Sequence, residues 1–332
     1  MILAGDVGGT KTVLALYKEA EEGLECVREG VFPSREHASL EEILTPFLAE
    51  NGSPALRAAC FAVAGPVVEG RCKTTNLPWT LTEGDLASAV RAPRVKLLND
   101  LEGTAYGMLH LPASDLAQLN KGKRPGRRGN IAVIAAGTGL GEAYLYWDGK
   151  SHRPIATEGG HSDFAPRTDV EVELLRYLRE KLGGRVSYER VLSGPGVYEI
   201  YCFLRDTGRQ NEPEWLARDL ERGDQSALVS QHAAKGAEGA PICVATMDLF
   251  CELYGAEAGN MALRGLTYGG VFLGGGIAPK NLQLLEKGSF LRGFTDKGRF
   301  ADMMAGLNVH VSTNPRAALL GAAYFAEELL TD

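Results

Sequence analysis

Three glycine turns in this chain sit where backbone could meet a phosphorylated ligand. In Asp6-Val7-Gly8-Gly9-Thr10-Lys11 two adjacent glycines present N–H groups with no side chain in the way, which is how a loop approaches an oligophosphate. Thr10 adds a hydroxyl donor and Lys11 a charge, and Asp6, at the end of an apolar run, can hold a hydrated Mg²⁺. A plain hairpin turn would be spelled the same way. The second turn, Gly137-Thr138-Gly139-Leu140-Gly141, also follows an apolar run and could close on the same nucleotide. The third, Gly274-Gly275-Gly276-Ile277, is a bare strand-to-helix connection against which a flat ring could lie, although a tight turn alone would need the same glycines. None is a dinucleotide fingerprint, since Glu142 stands where the second turn would need glycine. Gly149-Lys150-Ser151 ends like a Walker A loop, but Tyr144 occupies the position of its first glycine.

Between the turns lie polar groups. Leu97-Leu98-Asn99-Asp100 is an apolar strand ending in an amide and a carboxylate, the end that faces the crevice of an open α/β sheet. Glu158-Gly159-Gly160-His161 sets a carboxylate and an imidazole across two glycines, and Glu189 precedes Arg190-Val191-Leu192-Ser193-Gly194-Pro195-Gly196. A single acid or histidine is more often structural. Asn, Asp, two Glu and His together suit a polyhydroxylated ligand, because carboxylates accept from vicinal hydroxyls while Asn and His both donate and accept.

The elements that must position these groups are legible as an α/β chain in two similar halves. Ile2 to Tyr17 reads as a hairpin, and Cys26 to Phe32 extends its sheet. Ser39 and Glu42 have the spacing of a capping box for a helix that Pro46 kinks and Gly52 stops. Strands are expected at Ala58–Ala64 and Val95–Leu98, with a short helix near Leu86–Val90 and another from about Glu102. The polar stretch Leu119–Gly129, with the basic run 121–128, reads as a solvated connection between two lobes. A second hairpin pairs Ile131–Ala136 with Ala143–Trp147. Helices follow at Asp169–Leu182 (capped by Thr168, with Glu171 at the third position), Val197–Arg205, Ile242–Leu263 and Asn281–Leu285. Strands Gly270–Leu273 and Leu307–Val311 come next, with a closing helix entered through Asn314-Pro315. The expected division is a small lobe, 1–110 plus 314–332, and a large lobe, 111–313; the stretch 206–239 carries no readable motif.

Composition narrows the partners. With 332 residues, 45% hydrophobic and 23% charged, the chain can bury a sizeable core and is neither disordered nor collagenous. A net charge of −7 argues against nucleic acid as a partner. The longest uncharged apolar stretch, 265–279, is too short and too glycine-rich for a membrane span, and no secretory signal is recognisable, so a cytoplasmic protein is expected. The six cysteines never form C-x-x-C, which makes zinc or a disulfide framework an unfavoured reading. The 41 glycines, about 12% of the chain, exceed the usual ~7% and need a cause.

Taken together, Asp6–Thr10, Leu98-Asn99-Asp100, Ala136–Gly141, Glu158–Phe164, Glu189–Gly196 and Gly270–Ile277 resemble the bacterial glucokinase family, in family order and across nearly the whole chain. The resemblance implies a two-lobed actin-like ATPase fold with the active site in the interlobe cleft. It also implies transfer of the ATP γ-phosphoryl group to the 6-hydroxyl of glucose with Mg²⁺, and a homodimer. By position, Asp100 would be the catalytic base, and Asn76, Asn99, Glu158, His161 and Glu189 would join it in binding the sugar. Asp6, Gly8, Gly9, Thr10, Lys11, Gly137, Thr138, Gly139, Gly274, Gly275 and Gly276 would serve the nucleotide. Lys11 departs from the family's frequent Asn at that position. A neighbouring sugar-kinase family, shared with repressors, has a cysteine-rich zinc motif after Gly-His; here Ser162-Asp163-Phe164 comes next, so no zinc is expected. Another hexose kinase, or a non-catalytic sugar sensor, is the alternative reading.

Overall fold

Strand-forming residues either side of Gly8-Gly9 pair as antiparallel β1 (Ile2–Val7) and β2 (Lys11–Ala20) in the computed structural model, which describes all residues except 22, 124–127, 239 and 331–332. The middle of the basic run therefore lies outside the described residues. β3 (Gly23–Pro33) extends the hairpin. α1 (Glu41–Glu50) buries Ile43, Leu44 and Phe47, but not from the start that the Ser39 spacing suggests. Leu40 is already helical and no side chain caps the helix, while Glu42 still reaches back to accept from the Ala38 N–H at 2.8 Å. β4 (Ala58–Val63) is buried on both faces and runs parallel to β1. β5 (Val67–Val68), β6 (Arg71–Lys73) and β7 (Thr80–Thr82) make a small antiparallel sheet, and Thr82 caps α2 (Glu83–Val90). β8 (Val95–Asn99) runs parallel to β4 and leads without a loop into α3 (Asp100–Met108). The sheet order is β3-β2-β1-β4-β8.

The chain divides into two compact units, residues 1–115, 152–156 and 314–332 in one, and 116–151 and 157–313 in the other. In the second, β9 (Leu116–Asn120) takes up the start of the expected connection by pairing at a sheet edge. β10 (Ile131–Ala136) and β11 (Leu140–Trp147) form the second hairpin. β12 (His152–Ala156) belongs to the first unit, where it packs against α3. α4 (Asp169–Leu182) is capped by Thr168 through the Glu171 N–H, and α5 (Gly194–Asp206) by Ser193. The motif-free stretch contains α6 (Glu214–Leu220) and α7 (Gln225–Ala234), whose apolar residues join the core around α8 (Pro241–Gly265). β13 (Gly270–Gly274) lies parallel to β10; α9 (Ile277–Lys280), α10 (Leu282–Leu285), α11 (Ser289–Thr295) and α12 (Ala301–Ala305) lead to β14 (Val309–Ser312), parallel to β13. The order β11-β10-β13-β14 repeats the order β2-β1-β4-β8.

The last helix, α13 (Ala317–Glu328), returns to the first unit and packs on α3 through glycine. A Cβ at Gly107 would lie 1.8 Å from the Ala317 carbonyl oxygen, and one at Gly321 would lie 1.8 Å from that of Gly103. In the second unit α8 meets α11 the same way, with the Phe290 carbonyl 1.9 Å from a Cβ at Gly255. Part of the glycine excess therefore serves helix contact rather than ligand turns. No described helix is long and apolar enough to cross a membrane. Gly107→Ala should destabilise the first unit by about 3 kcal/mol or more, the upper range for overpacking, because the obstruction is backbone on both sides. Urea unfolding of the variant checks this, and an unchanged midpoint would contradict the contact.

Candidate functional site

In the first unit the parallel register decides what meets. Val7, Val63 and Asn99 occupy one row across β1, β4 and β8, so Asp6, the Gly8-Gly9 turn, Gly65 and Asn99-Asp100 all emerge at the carboxyl edge of the sheet. Asn99 is the N-cap of α3: its Oδ1 accepts from the Leu101 N–H at 2.9 Å, and the Glu102 carboxylate accepts from its own N–H at 2.9 Å. Its Nδ2 donates to the Gly65 carbonyl at 3.0 Å. With both ends of the amide held, Asn99 fixes the strand-to-helix turn and leaves one N–H and one lone pair for a ligand. Asp100 is the first helical residue and is exposed; its Oδ1 accepts from the Leu101 N–H at 2.9 Å.

Asp6 lies one residue inside the same edge. Burial first, and then the charge of Asp100, push its carboxyl up to about 6, against the pull of Lys11 and Arg316. The glycine turn is held from behind, where the Ser34 hydroxyl donates to the Gly8 carbonyl at 2.7 Å and shares a hydrogen bond with Thr12 at 2.9 Å. Asn76 packs on the other side: a Cβ at Gly9 would lie 2.6 Å from the Asn76 Cβ. Thr10 and Lys11 are exposed at the tip.

In the second unit, the Gly137–Gly139 turn and Gly274–Gly276 emerge from the parallel neighbours β10 and β13, where Ala135 faces Gly274. They touch, since Gly275 has φ +74° and its Cβ would fall 2.3 Å from the Ala136 carbonyl. Thr138, Gly275 and Gly276 are exposed. The acidic groups join this turn. Glu189 accepts from the Leu140 N–H at 3.1 Å through Oε2, and that oxygen lies 2.5 Å from a Cβ position on Gly139. The His161 ring stands between two carboxylates, Nδ1 3.9 Å from Glu189 and Nε2 3.9 Å from Glu158. Of the two glycines in the Glu158–His161 loop, Gly160 is required by the main chain of β11 beneath it, since a Cβ there would lie 2.1 Å from the Leu140 carbonyl; a Cβ at Gly159 would lie 2.2 Å from the side-chain oxygen Oε2 of Glu142. The Arg185 guanidinium donates to the His161 carbonyl and to Asp163, holding the loop's far end.

The groups read from the sequence thus form two sets, Asp6, the first turn, Asn76, Asn99 and Asp100 in one unit, and Glu158, His161, Glu189 and the other two turns in the second. Three supporting groups were missed. Ser34 gives no sequence signal; Gly65 could have been found from its Gly-Pro dipeptide, and the capping role of Asn99 from the Asn99…Glu102 spacing.

The family model for glucokinase matches residues 3–329. A glucokinase of Nostoc punctiforme is 40% identical over 340 residues, covering 99% of each chain. One of Synechocystis sp. is 40% identical over 349 residues, covering 98% of each. Among solved structures, glucokinase from an Antarctic psychrotroph matches with a TM-score of 0.86 at 30% identity over 98% of both chains. A ROK family glucokinase from Streptomyces griseus, in complex with glucose and AMPPNP, shares the fold at 21% identity with a TM-score of 0.64, over 98% of this chain and 99% of that one. With a two-lobed actin-like ATPase fold and matches that run essentially from end to end, this chain belongs to the glucokinase family.

Proposed function

We propose that the protein transfers the γ-phosphoryl group of ATP to the 6-hydroxyl of glucose, with Asp100 as the base. The observation that carries this reading is the shared carboxyl edge of β1, β4 and β8, which sets a half-buried acid, a fixed amide and an exposed carboxylate side by side. A carboxylate is a weak base for an alcohol, but phosphoryl transfer passes through a loose transition state in which the hydroxyl proton leaves late. Asp100 then orients the attacking oxygen and takes its proton at the end. Asn99, Asn76, Glu158, His161 and Glu189 are assigned to the sugar hydroxyls. The Gly8-Gly9 and Gly137–Gly139 turns, with Thr10, Thr138 and Lys11, are assigned to the phosphates, and Gly274–Gly276 to the adenine; the Gly8 and Gly137 N–H groups donate within their own turns, to the Lys11 carbonyl at 3.0 Å and the Gly139 carbonyl at 2.8 Å, which leaves those of Gly9, Thr138 and Gly139 as the donors. A homodimer acting in the cytoplasm belongs to the same reading.

The residues also fit Mg²⁺. A carboxyl that burial and a neighbouring acid make reluctant to ionise is one that gains from a cation, and Asp6 is in that position. Bound with ATP, Mg²⁺ would neutralise charge on the phosphate oxygens. Asp6 would hold it, through water.

ADP release should depend on glucose, and Asp100→Ala should lower kcat by about 10²–10⁴ while glucose affinity changes far less. Glucose-independent ATP turnover in the parent would favour a sensor instead. Glu158→Gln and Glu189→Gln each weaken a charged hydrogen bond and should raise the glucose KM by roughly 10- to 100-fold; a KM at the parent value in both variants removes them from the sugar site. Because Asp6 takes up its proton as pH falls through about 6, kcat/KM for ATP should drop about tenfold per unit below that pH. Asp6→Asn should be impaired at every pH and lack that slope.

A further inference from the structure

Glu142 is an acid in an otherwise apolar strand, and its side chain is spent on none of the groups assigned so far. It faces Ile134 across the β10–β11 hairpin and is 2% exposed. Oε1 has no hydrogen-bond partner among the described residues. Oε2 lies directly under the loop that carries Glu158 and His161, 2.2 Å from where a Cβ on Gly159 would sit. The main chain of Glu142 meets the same loop: its carbonyl accepts from the Thr157 hydroxyl at 2.7 Å, and that hydroxyl accepts from the Gly159 N–H at 3.0 Å. An apolar side chain would fill this space without leaving a buried oxygen unsatisfied, so packing alone does not account for a carboxyl here.

We propose that Glu142 is a positioning residue for sugar binding, supporting Gly159 from below with an uncharged carboxyl, so that its ionisation displaces the Glu158–His161 loop. The proposal rests on the assignment of that loop to glucose.

The surroundings favour the uncharged acid. From α8, Glu257 is fully buried and holds Arg264 at 2.9 Å and the Asn260 amide at 2.8 Å, so the nearest cation is engaged elsewhere. Tyr254 of α8 donates to the Ile134 carbonyl, and Tyr144 of β11 donates to that of Met261, each at 3.2 Å. Lys297 donates to the Ala256 carbonyl and the Asn260 amide oxygen. Burial, followed by the charge of Glu257, pushes the Glu142 carboxyl up to about 8, against the pull of Arg264. Below that pH it keeps its proton. Above it, a bare carboxylate sits beneath Gly159 with no partner for Oε1, and relief comes from lifting the loop to admit water. Glu158 and His161 flank the two glycines, so they move with it.

Glucose binding measured by titration calorimetry without ATP, from pH 6.5 to 9.5, tests this. For the parent protein, Kd should be level to pH 7 and rise about tenfold by pH 9. Glu142→Gln, neutral and of the same shape, should bind within about threefold of the parent at pH 7 and stay level to pH 9. The variant retains Lys297 and the tyrosines, so a rise that persists in it belongs to those groups and overturns the proposal. A parent Kd that does not change up to pH 9 also overturns it. Gly159→Ala should weaken binding, and adding Glu142→Ala should restore part of it; no restoration would show that the carboxyl does not support Gly159. That pair decides the matter if the Gln variant does not fold. Absence of glucose binding by the parent at pH 7 would instead defeat the sugar assignment itself.

Discussion

Gly107 of α3 and Gly321 of α13 stand where a methyl group would lie 1.8 Å from a carbonyl oxygen of the opposite helix, and this backbone-to-backbone approach is the constraint on which the first unit depends. It brings α13 against the helix that begins at Asp100. A helix whose axis is fixed by contact of main chain with main chain cannot roll by small side-chain adjustments. The carboxylate on its first turn inherits that rigidity, reinforced by the Asn99–Glu102 box at its start. Preorganisation of this kind costs nothing when the reaction occurs, since the geometry is set during folding. In the second unit Gly160 against the Leu140 carbonyl does for the acidic loop what Gly107 does for α3.

The acids are divided by environment. Asp100 and Glu158 are exposed at strand and loop ends. Asp6 is half-buried and Glu142 buried, each has an acidic neighbour and incomplete cationic compensation, and both are pushed up as a result. Carboxyls of the same chemistry thus sit in environments that separate them, two at the surface and two held up by burial and a neighbouring acid.

The sequence made the chemistry-bearing turns legible because each combines a glycine pair with an apolar strand, a pattern that periodicity detects directly. Both hairpins lie where the alternation of strand formers placed them, and Thr168 with Glu171 marks α4 to the residue. What was not legible depends on tertiary contact. Gly103, Gly107, Gly255 and Gly293 are single glycines inside helices, and alone they read only as a loss of helix propensity; the opposing carbonyls are many residues away. Ser39 carries the capping spacing yet does not cap, because Leu40 has already entered the helix. Residues 206–239 hold no motif because their task is to cover α8, which any suitably spaced apolar residues can do.

The repeated order β2-β1-β4-β8 and β11-β10-β13-β14 gives each unit a hairpin turn beside parallel strand ends, so each places a glycine turn at the same edge of its sheet. The repeat alone would make two equivalent edges. They differ in the segments into which the parallel strands lead. In the first unit β8 runs straight into a helix whose first residue is Asp100, which puts a potential base at the edge. In the second, β13 ends in three glycines and no acid, leaving room for a flat ring, and the carboxylates arrive from the loops that hold Glu158 and Glu189 instead. One backbone plan thus becomes two unlike surfaces through the residues at strand ends.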